Sequence, residues 1–236
     1  MKNEILIGCS SYNNRYWKGI FYPDNLAYSK WFEFYYQHFR TYEFNGSFYR
    51  FPTLKTLTNW YDKVPEDFLF SVKAPKEITH IKQFFDCENR LAEFYDVCKN
   101  GLKEKLACVL FQFPPSYNFT SERLEQIIRN LDLKFKNVIE FRHVSWWNQE
   151  VWDAFLENDI TFCSVSHPDL PQTIFKEFPL IYIRLHGVPK LFYSSYSLQE
   201  LLNIRDETHS KSGFIYFNNT ASEAGILNAL ELKRLV

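Results

Sequence analysis

Glycine is scarce in this chain, with seven in 236 residues, and no GxGxxG or GxxxxGK[ST] loop follows any strand-like run. The usual sequence argument for a doubly wound nucleotide-binding sheet is therefore missing. No run of 18 apolar residues occurs, which argues against a membrane-crossing helix and a membrane partner. Neither sign of charge dominates: 27 Lys and Arg face 28 Asp and Glu, for a formal net charge of -1. That balance disfavours a nucleic-acid partner recruited by bulk charge, while a local basic site stays compatible with it. The five cysteines (9, 87, 98, 108 and 163) form no CxxC pair, and three sit in apolar runs. Such a set reads as reduced and buried. The chain enters an apolar run by Ile5 with no charged-then-apolar leader, so the expected location is cytoplasmic.

Aromatic residues are what the chain has in excess: 24 Phe, 15 Tyr and six Trp make up 19 % of it. Rings of this size carry much of a domain's burial energy, so packing is the default reading for each of them. Eight short apolar runs stand out, at 5–10, 41–45, 68–73, 106–113, 137–142, 160–165, 180–186 and 213–218. Stretches of helical period separate them. Leu124, Ile127, Ile128 and Leu131 repeat as one buried helix face requires; so do Leu91, Phe94, Tyr95 and Cys98, and Val151, Trp152, Phe155 and Leu156. Ser197 with Glu200, and Thr220 with Glu223, have capping-box spacing, and Asn148 and Thr120 or Ser121 are candidate N-caps.

Eight strands alternating with helices predict a single α/β domain over 1–236, a (β/α)8 barrel of TIM type. Its sixth helix would be short or irregular, because Pro168, Pro171 and Pro179 punctuate the segment before the seventh strand. Asn45-Gly46 could instead close a β-hairpin, which would remove one crossover.

The ends of these runs alternate in one phase. Ile139 and Phe141 oppose Glu140 and Arg142, Ile183 and Leu185 oppose Arg184 and His186, and Phe70 and Val72 oppose Ser71 and Lys73. Phe44 likewise opposes Glu43 and Asn45, Phe111 opposes Gln112, and Phe217 opposes Asn218. Period-two geometry sends each polar set to one face. On a barrel these groups would meet at the C-terminal mouth, where active sites are built. A strand simply turning polar at the surface is the competing explanation for any one of them. Lys73, Arg142 and Arg184 outnumber Glu43 and Glu140, which suits an anionic ligand such as a phosphate or carboxylate. No HxxxH, HxH or DxD spacing supports a metal site, and no GxSxG elbow supports a serine triad.

The strings GCSSYNNRYWKGIFYP, YEFNGSFYRFP, FLFSVKAPKEITH, VLFQFPPSY, VIEFRHVSWW, IYIRLHG and YFNN occur in that order. Together they resemble the YecE-like family, catalogued as domain of unknown function 72, from Gly8 to about Asn219. The resemblance implies a β/α barrel and favours a crossover at Asn45-Gly46. It marks Glu43, Asn45, Phe48, Tyr49, Arg50, Lys73, Thr79, His80, Gln112, Pro114, Glu140, Arg142, Ser145, Trp146, Arg184, His186, Gly187 and Asn218. Ser11-Tyr12 departs from the family's usual Gly-Trp, and Gly46 from its usual Ser or Thr. The resemblance names no reaction.

The expectation is therefore a small-molecule enzyme of hydrolase or lyase class that acts without a metal or other cofactor. Glu43, Glu140 and His186 are its candidate acid, base and proton shuttle. Lys73, Arg142 and Arg184 would clamp an anionic or sugar-like ligand, assisted by Asn45, Tyr49, His80, Gln112, Trp146 and Asn218. Two alternatives stand beside it: a metal-dependent enzyme like endonuclease IV or xylose isomerase, and a non-enzymatic binder of an anion or nucleotide. Arg184→Ala and Glu140→Ala are expected to remove binding or activity at little cost in stability. Oligomeric state is open.

Overall fold

The computed structural model describes residues 4–236. Among these, the strands and α-helices run in the order β1 (Ile5–Cys9), α1 (Trp31–His38), β2 (Thr41–Phe44), α2 (Gly46–Tyr49), α3 (Leu54–Tyr61), β3 (Leu69–Lys73), α4 (Glu88–Leu102) and β4 (Leu106–Gln112). There follow α5 (Ser121–Asn130), β5 (Asn137–Glu140), α6 (Gln149–Glu157), β6 (Thr161–Phe162), β7 (Ser164–Ser166), β8 (Ile181–Leu185), α7 (Leu198–Thr208), β9 (Gly213–Phe217) and α8 (Ala224–Leu235). The chain separates into two compact units. A terminal unit comprises 4–43 and Ser164–Val236, and a central unit comprises Phe44–Cys163.

All eight apolar runs form strands, but they do not close into the expected (β/α)8 barrel. They make two parallel sheets, one in the order β1-β9-β8-β7 and one in the order β2-β3-β4-β5-β6. Two local causes are visible. The sixth run breaks at Cys163: β6 pairs with β5, whereas β7 pairs with β8. Between β1 and β2, the Tyr35 hydroxyl occupies the place of a backbone ladder. It accepts a hydrogen bond from Cys9 N at 2.8 Å and donates to Thr41 O at 3.0 Å. Gly8 makes room for this arrangement, since a Cβ there would lie 2.5 Å from Thr41 O. A strand count cannot foresee a side chain satisfying two strand edges in this way.

Most helical readings hold. Leu124, Ile127 and Leu131 are buried, as are Leu91, Phe94, Tyr95 and Cys98. Each such apolar side chain contributes roughly 1.5–3 kcal/mol on burial. On α6 the buried pair is Val151 and Phe155, while Leu156 is exposed. Thr120, Asn148 and Ser197 cap as expected, the last in a full capping box with Glu200. The second box does not form, because α8 starts after Glu223 with no side-chain cap. Asn45-Gly46 opens the short α2 and makes no hairpin. Residues 167–180 contain no helix at all, so β8 follows β7 through an irregular segment. All five cysteines are free and buried.

Tyr35→Phe removes the acceptor of Cys9 N–H and a donor to Thr41 O in a fully buried place. Urea unfolding should show a loss of about 2–4 kcal/mol. A loss below about 0.5 kcal/mol would mean that water or a backbone shift replaces the hydroxyl.

Candidate functional site

In the central unit the predicted polar groups assemble at the carboxyl ends of three adjacent strands, β3, β4 and β5. Gln112 and Glu140 are register partners across β4 and β5. Lys73, at the end of β3, donates from Nζ to Gln112 Oε1 at 2.8 Å. The Gln112 amide nitrogen donates in turn to Phe113 O, which fixes which end of the amide faces the lysine. Beneath the ammonium lies the Phe48 ring, its centroid 4.0 Å from Lys73 Nζ. A cation over an aromatic face keeps its charge at lower desolvation cost than one buried among aliphatic groups. Ser47, on α2, donates to Lys73 O at 2.6 Å and ties that helix to the end of β3. Arg142 Nε donates to Glu140 Oε1 at 2.5 Å, a charge-assisted bond with Glu140 wholly buried.

His80 completes the group. It lies on a single π-helical turn, Glu77–Ile81, just beyond β3. Such turns recur at functional sites because they aim side chains that a regular helix would direct elsewhere. The three nearby residues Gln83, Phe84 and Asp86 adopt positive φ, so the backbone here is held out of its ordinary basins. His80 packs edge-on against Phe48 at 5.0 Å and shares a 2.9 Å hydrogen bond with Thr79 Oγ1. Burial pushes its pKa down to about 4, helped by the positive charges of Lys73, Lys76 and Arg142 and opposed by Glu140. The imidazole is accordingly neutral at pH 7.

The terminal unit brings together a different set. Arg184 on β8 donates to both carboxylate oxygens of Glu43 on β2, from Nε at 2.9 Å and from Nη2 at 2.7 Å. Nη2 also donates to Asn218 Oδ1 at 2.6 Å, and the Tyr182 hydroxyl donates to Glu43 Oε2 at 2.8 Å. Glu43 is fully buried and Arg184 is 2 % exposed. Tyr182 escaped the sequence reading, although it shares the parity of Arg184 and His186 on the same run. His186 is also buried; its ring lies 5.9 Å from that of His167, a second residue the reading missed.

The remaining predicted residues divide clearly. Tyr49 is 85 % exposed, with its ring 5.1 Å from Phe48. Asn45 precedes α2, its carbonyl accepting from Phe48 N. Trp146 is not at a ligand-accessible position. It is fully buried, stacked on Phe141 at 3.9 Å and 3° and near-parallel to Tyr117 at 5.6 Å, with its indole N–H donated to Tyr117 O. The packing explanation applies there. Among the described residues, no three His, Cys, Asp or Glu side chains are grouped as a metal centre needs. No described helix is long and apolar enough to cross a membrane.

These features define a parallel α/β protein with ion pairs and a neutral histidine at its strand ends. More particularly, the chain belongs to the family described as protein of unknown function DUF72, whose model matches residues 6–236. It is similar to the UPF0759 protein YunF of Bacillus subtilis (strain 168), with 29 % identity over 143 residues, which is 57 % of this chain and 50 % of that protein. The chain thus aligns with half the length of that curated relative. A DUF72 family protein of Thermotoga maritima MSB8 superimposes with a TM-score of 0.88 at 26 % identity, covering 98 % of each chain. One from Enterococcus faecalis V583 gives 0.80 at 20 % identity over 99 % of this chain and 97 % of the other, a likeness of fold alone.

Burial of Glu43 and Arg184 changes the stability expected of their variants. Arg184→Ala strands a buried carboxylate and should cost about 3–5 kcal/mol in chemical denaturation, whereas the matched pair Glu43→Gln with Arg184→Met should recover most of it. A double variant that loses as much as its two single variants added together would show that the two groups are not coupled.

His80 generates a second test. The unfolded chain binds its proton near the ordinary 6.5, whereas the folded chain releases it down to about 4. The contribution is therefore fully present above about pH 6.5 and is lost as the pH falls towards 4. Between pH 7 and pH 4, His80→Gln should lose about 1–2 kcal/mol less than the parent chain, the figure allowing for the ring's partial exposure. Parallel stability profiles for the two proteins would contradict the depressed pKa.

Proposed function

We propose that the central unit binds the anionic group of a small molecule, a phosphate or carboxylate, and performs acid–base chemistry on it as a hydrolase or lyase. One observation carries this reading: two cations, one carboxylate and one neutral imidazole gathered at the ends of three adjacent parallel strands, with the imidazole's pKa depressed by burial and, further, by those cations. Lys73 and Arg142 would hold the anion, Lys73 as a point charge and Arg142 through its planar fork. Gln112 and Phe48 position Lys73. Glu140 is the candidate acid or base. The exposed Tyr49 ring is available to stack on a sugar-like or aromatic portion of the ligand, with Asn45 beside it in sequence.

His80 links binding to protonation. An anion beside Lys73 and Arg142 offsets the charges that lower its pKa, so the ring should take up a proton as ligand binds. A histidine that becomes protonated only when substrate is present can then donate to a leaving group. In the terminal unit, we assign Glu43, Arg184 and Asn218 to holding β2 and β8 in place, and His186 stays a candidate proton carrier.

The test begins with inorganic phosphate and a panel of small phosphorylated and carboxylated compounds. Binding should raise the His80 pKa by NMR titration and give buffer-dependent proton uptake in calorimetry. Lys73→Met and Arg142→Gln should each weaken binding about tenfold or more. Turnover of any panel member, abolished by Glu140→Gln with binding retained, would support the enzyme. Binding with no turnover leaves a non-enzymatic anion binder. If the Lys73 and Arg142 variants bind as the parent does, or the His80 pKa moves down, the site assignment is wrong.

A further inference from the structure

The irregular segment that replaces a crossover helix between β7 and β8 leaves a cleft in the terminal unit, of about 610 Å³, between residues 172–177 and α7. Its size falls within the usual range for small-molecule sites, about 300–1,000 Å³. Ile183 and Leu185 of β8, Ile174 and Ile204 line it with apolar surface. The β7 positions of matching parity are Ser164 and Ser166, where small hydroxyl side chains leave space that a packed helix would fill.

Those hydroxyls belong to an ordered polar chain. Ser164 Oγ accepts from Phe175 N at 3.0 Å. Ser166 Oγ donates to Gln172 Oε1 and accepts from the Tyr196 hydroxyl, both at 2.9 Å. The Tyr196 hydroxyl in turn accepts from Gly187 N, also at 2.9 Å. Polar anchors on one wall and an apolar floor are what orient a small ligand. The rim sets the sign of its charge. Glu177, Glu200 and Glu207 stand there against a single Lys176, which is paired with Glu207 at 2.6 Å. Glu200 accepts from Ser197 N and Oγ, both at 2.7 Å.

We propose that this cleft is a binding site for a small amphipathic cation, an apolar ring or short chain bearing a protonated amine. The apolar body rests on Ile174, Ile183, Leu185 and Ile204, and the ammonium lies towards the carboxylates of the rim. The carboxylate excess separates this ligand from the anion proposed for the central unit, so the two readings stand or fall separately.

Three probes of one skeleton test it against the full chain: 3-phenylpropylamine, 3-phenylpropanol and 3-phenylpropanoate. Amide NMR should show saturable shifts at Ser166, Gln172, Ile174 and Asn203. The Gly187 amide should move with them, because it donates to Tyr196. The amine should bind about tenfold tighter than the alcohol, and the propanoate more weakly than either. Glu177→Lys, at an exposed position, should remove most of the amine's advantage. Asn203→Trp should block the cleft from α7, and Thr173→Trp does so from the opposite wall should the first variant fold poorly. The proposal fails if the alcohol or propanoate binds as tightly as the amine, if shifts map elsewhere, or if none appear up to about 20 mM, well above fragment-level affinity. It also fails if sedimentation shows a second copy of the chain covering the cleft.

Discussion

Charged side chains at the ends of these strands are buried, and burial without a partner is prohibitively expensive. Each described pairing is an answer to that constraint. Glu43 meets Arg184 through both carboxylate oxygens, Glu140 meets Arg142 at 2.5 Å, and Lys73 meets the Gln112 carbonyl with an aromatic face beneath it. The pairings are not equivalent in what they permit. A fork-to-carboxylate pair with added bonds from Tyr182 and Asn218 is a rigid unit suited to holding strands. Lys73 instead lies against an amide carbonyl and an aromatic face.

His80 lies within the field of the central-unit charges. Burial favours loss of its proton at neutral pH, helped by Lys73, Lys76 and Arg142 and opposed by Glu140. A histidine with an ordinary pKa would be partly charged at pH 6–7 and would add positive charge beside Lys73 and Arg142. A neutral one adds no charge there and keeps its capacity to accept a proton. The π-helical turn and the positive-φ residues that follow are consistent with a backbone shaped to hold one ring in one place.

Much of this was legible from sequence because it rests on short-range periodicity. The eight runs became strands, three helix faces were buried nearly as their spacing required, and the parity of Glu140, Arg142, Arg184 and Lys73 placed each with polar partners. Closure was not legible, since it depends on which strand edges meet. Tyr35 sits 26 residues from Cys9 and six from Thr41, and no pattern announces that its hydroxyl will bridge them. The break at Cys163 is equally silent, lying inside a continuous apolar run. Trp146 was misplaced for a related reason: an aromatic beside charged residues in sequence can point into a stack of rings, and only contacts distinguish the two. Tyr182 shares the parity of Arg184, but a tyrosine within an apolar run fits core packing equally well, and only its hydroxyl's bond to Glu43 distinguishes the two.

The missing helix shows how a local sequence feature reaches function through packing. Proline at 168, 171 and 179 prevents a regular helix between β7 and β8, so the sheet face there must be covered by extended chain. Extended chain fills less volume than a helix, and the two serines of β7 do not make up the difference. The backbone groups of residues 172–177 still need partners, and Phe175 N finds one in Ser164 Oγ. Serine at these positions is therefore required by the segment that covers them, and the empty volume follows from the same requirement. A larger apolar residue at Ser164 would fill the gap only by leaving Phe175 N–H without its acceptor. The cleft is thus a consequence of satisfying the backbone, and carboxylates stand along its rim.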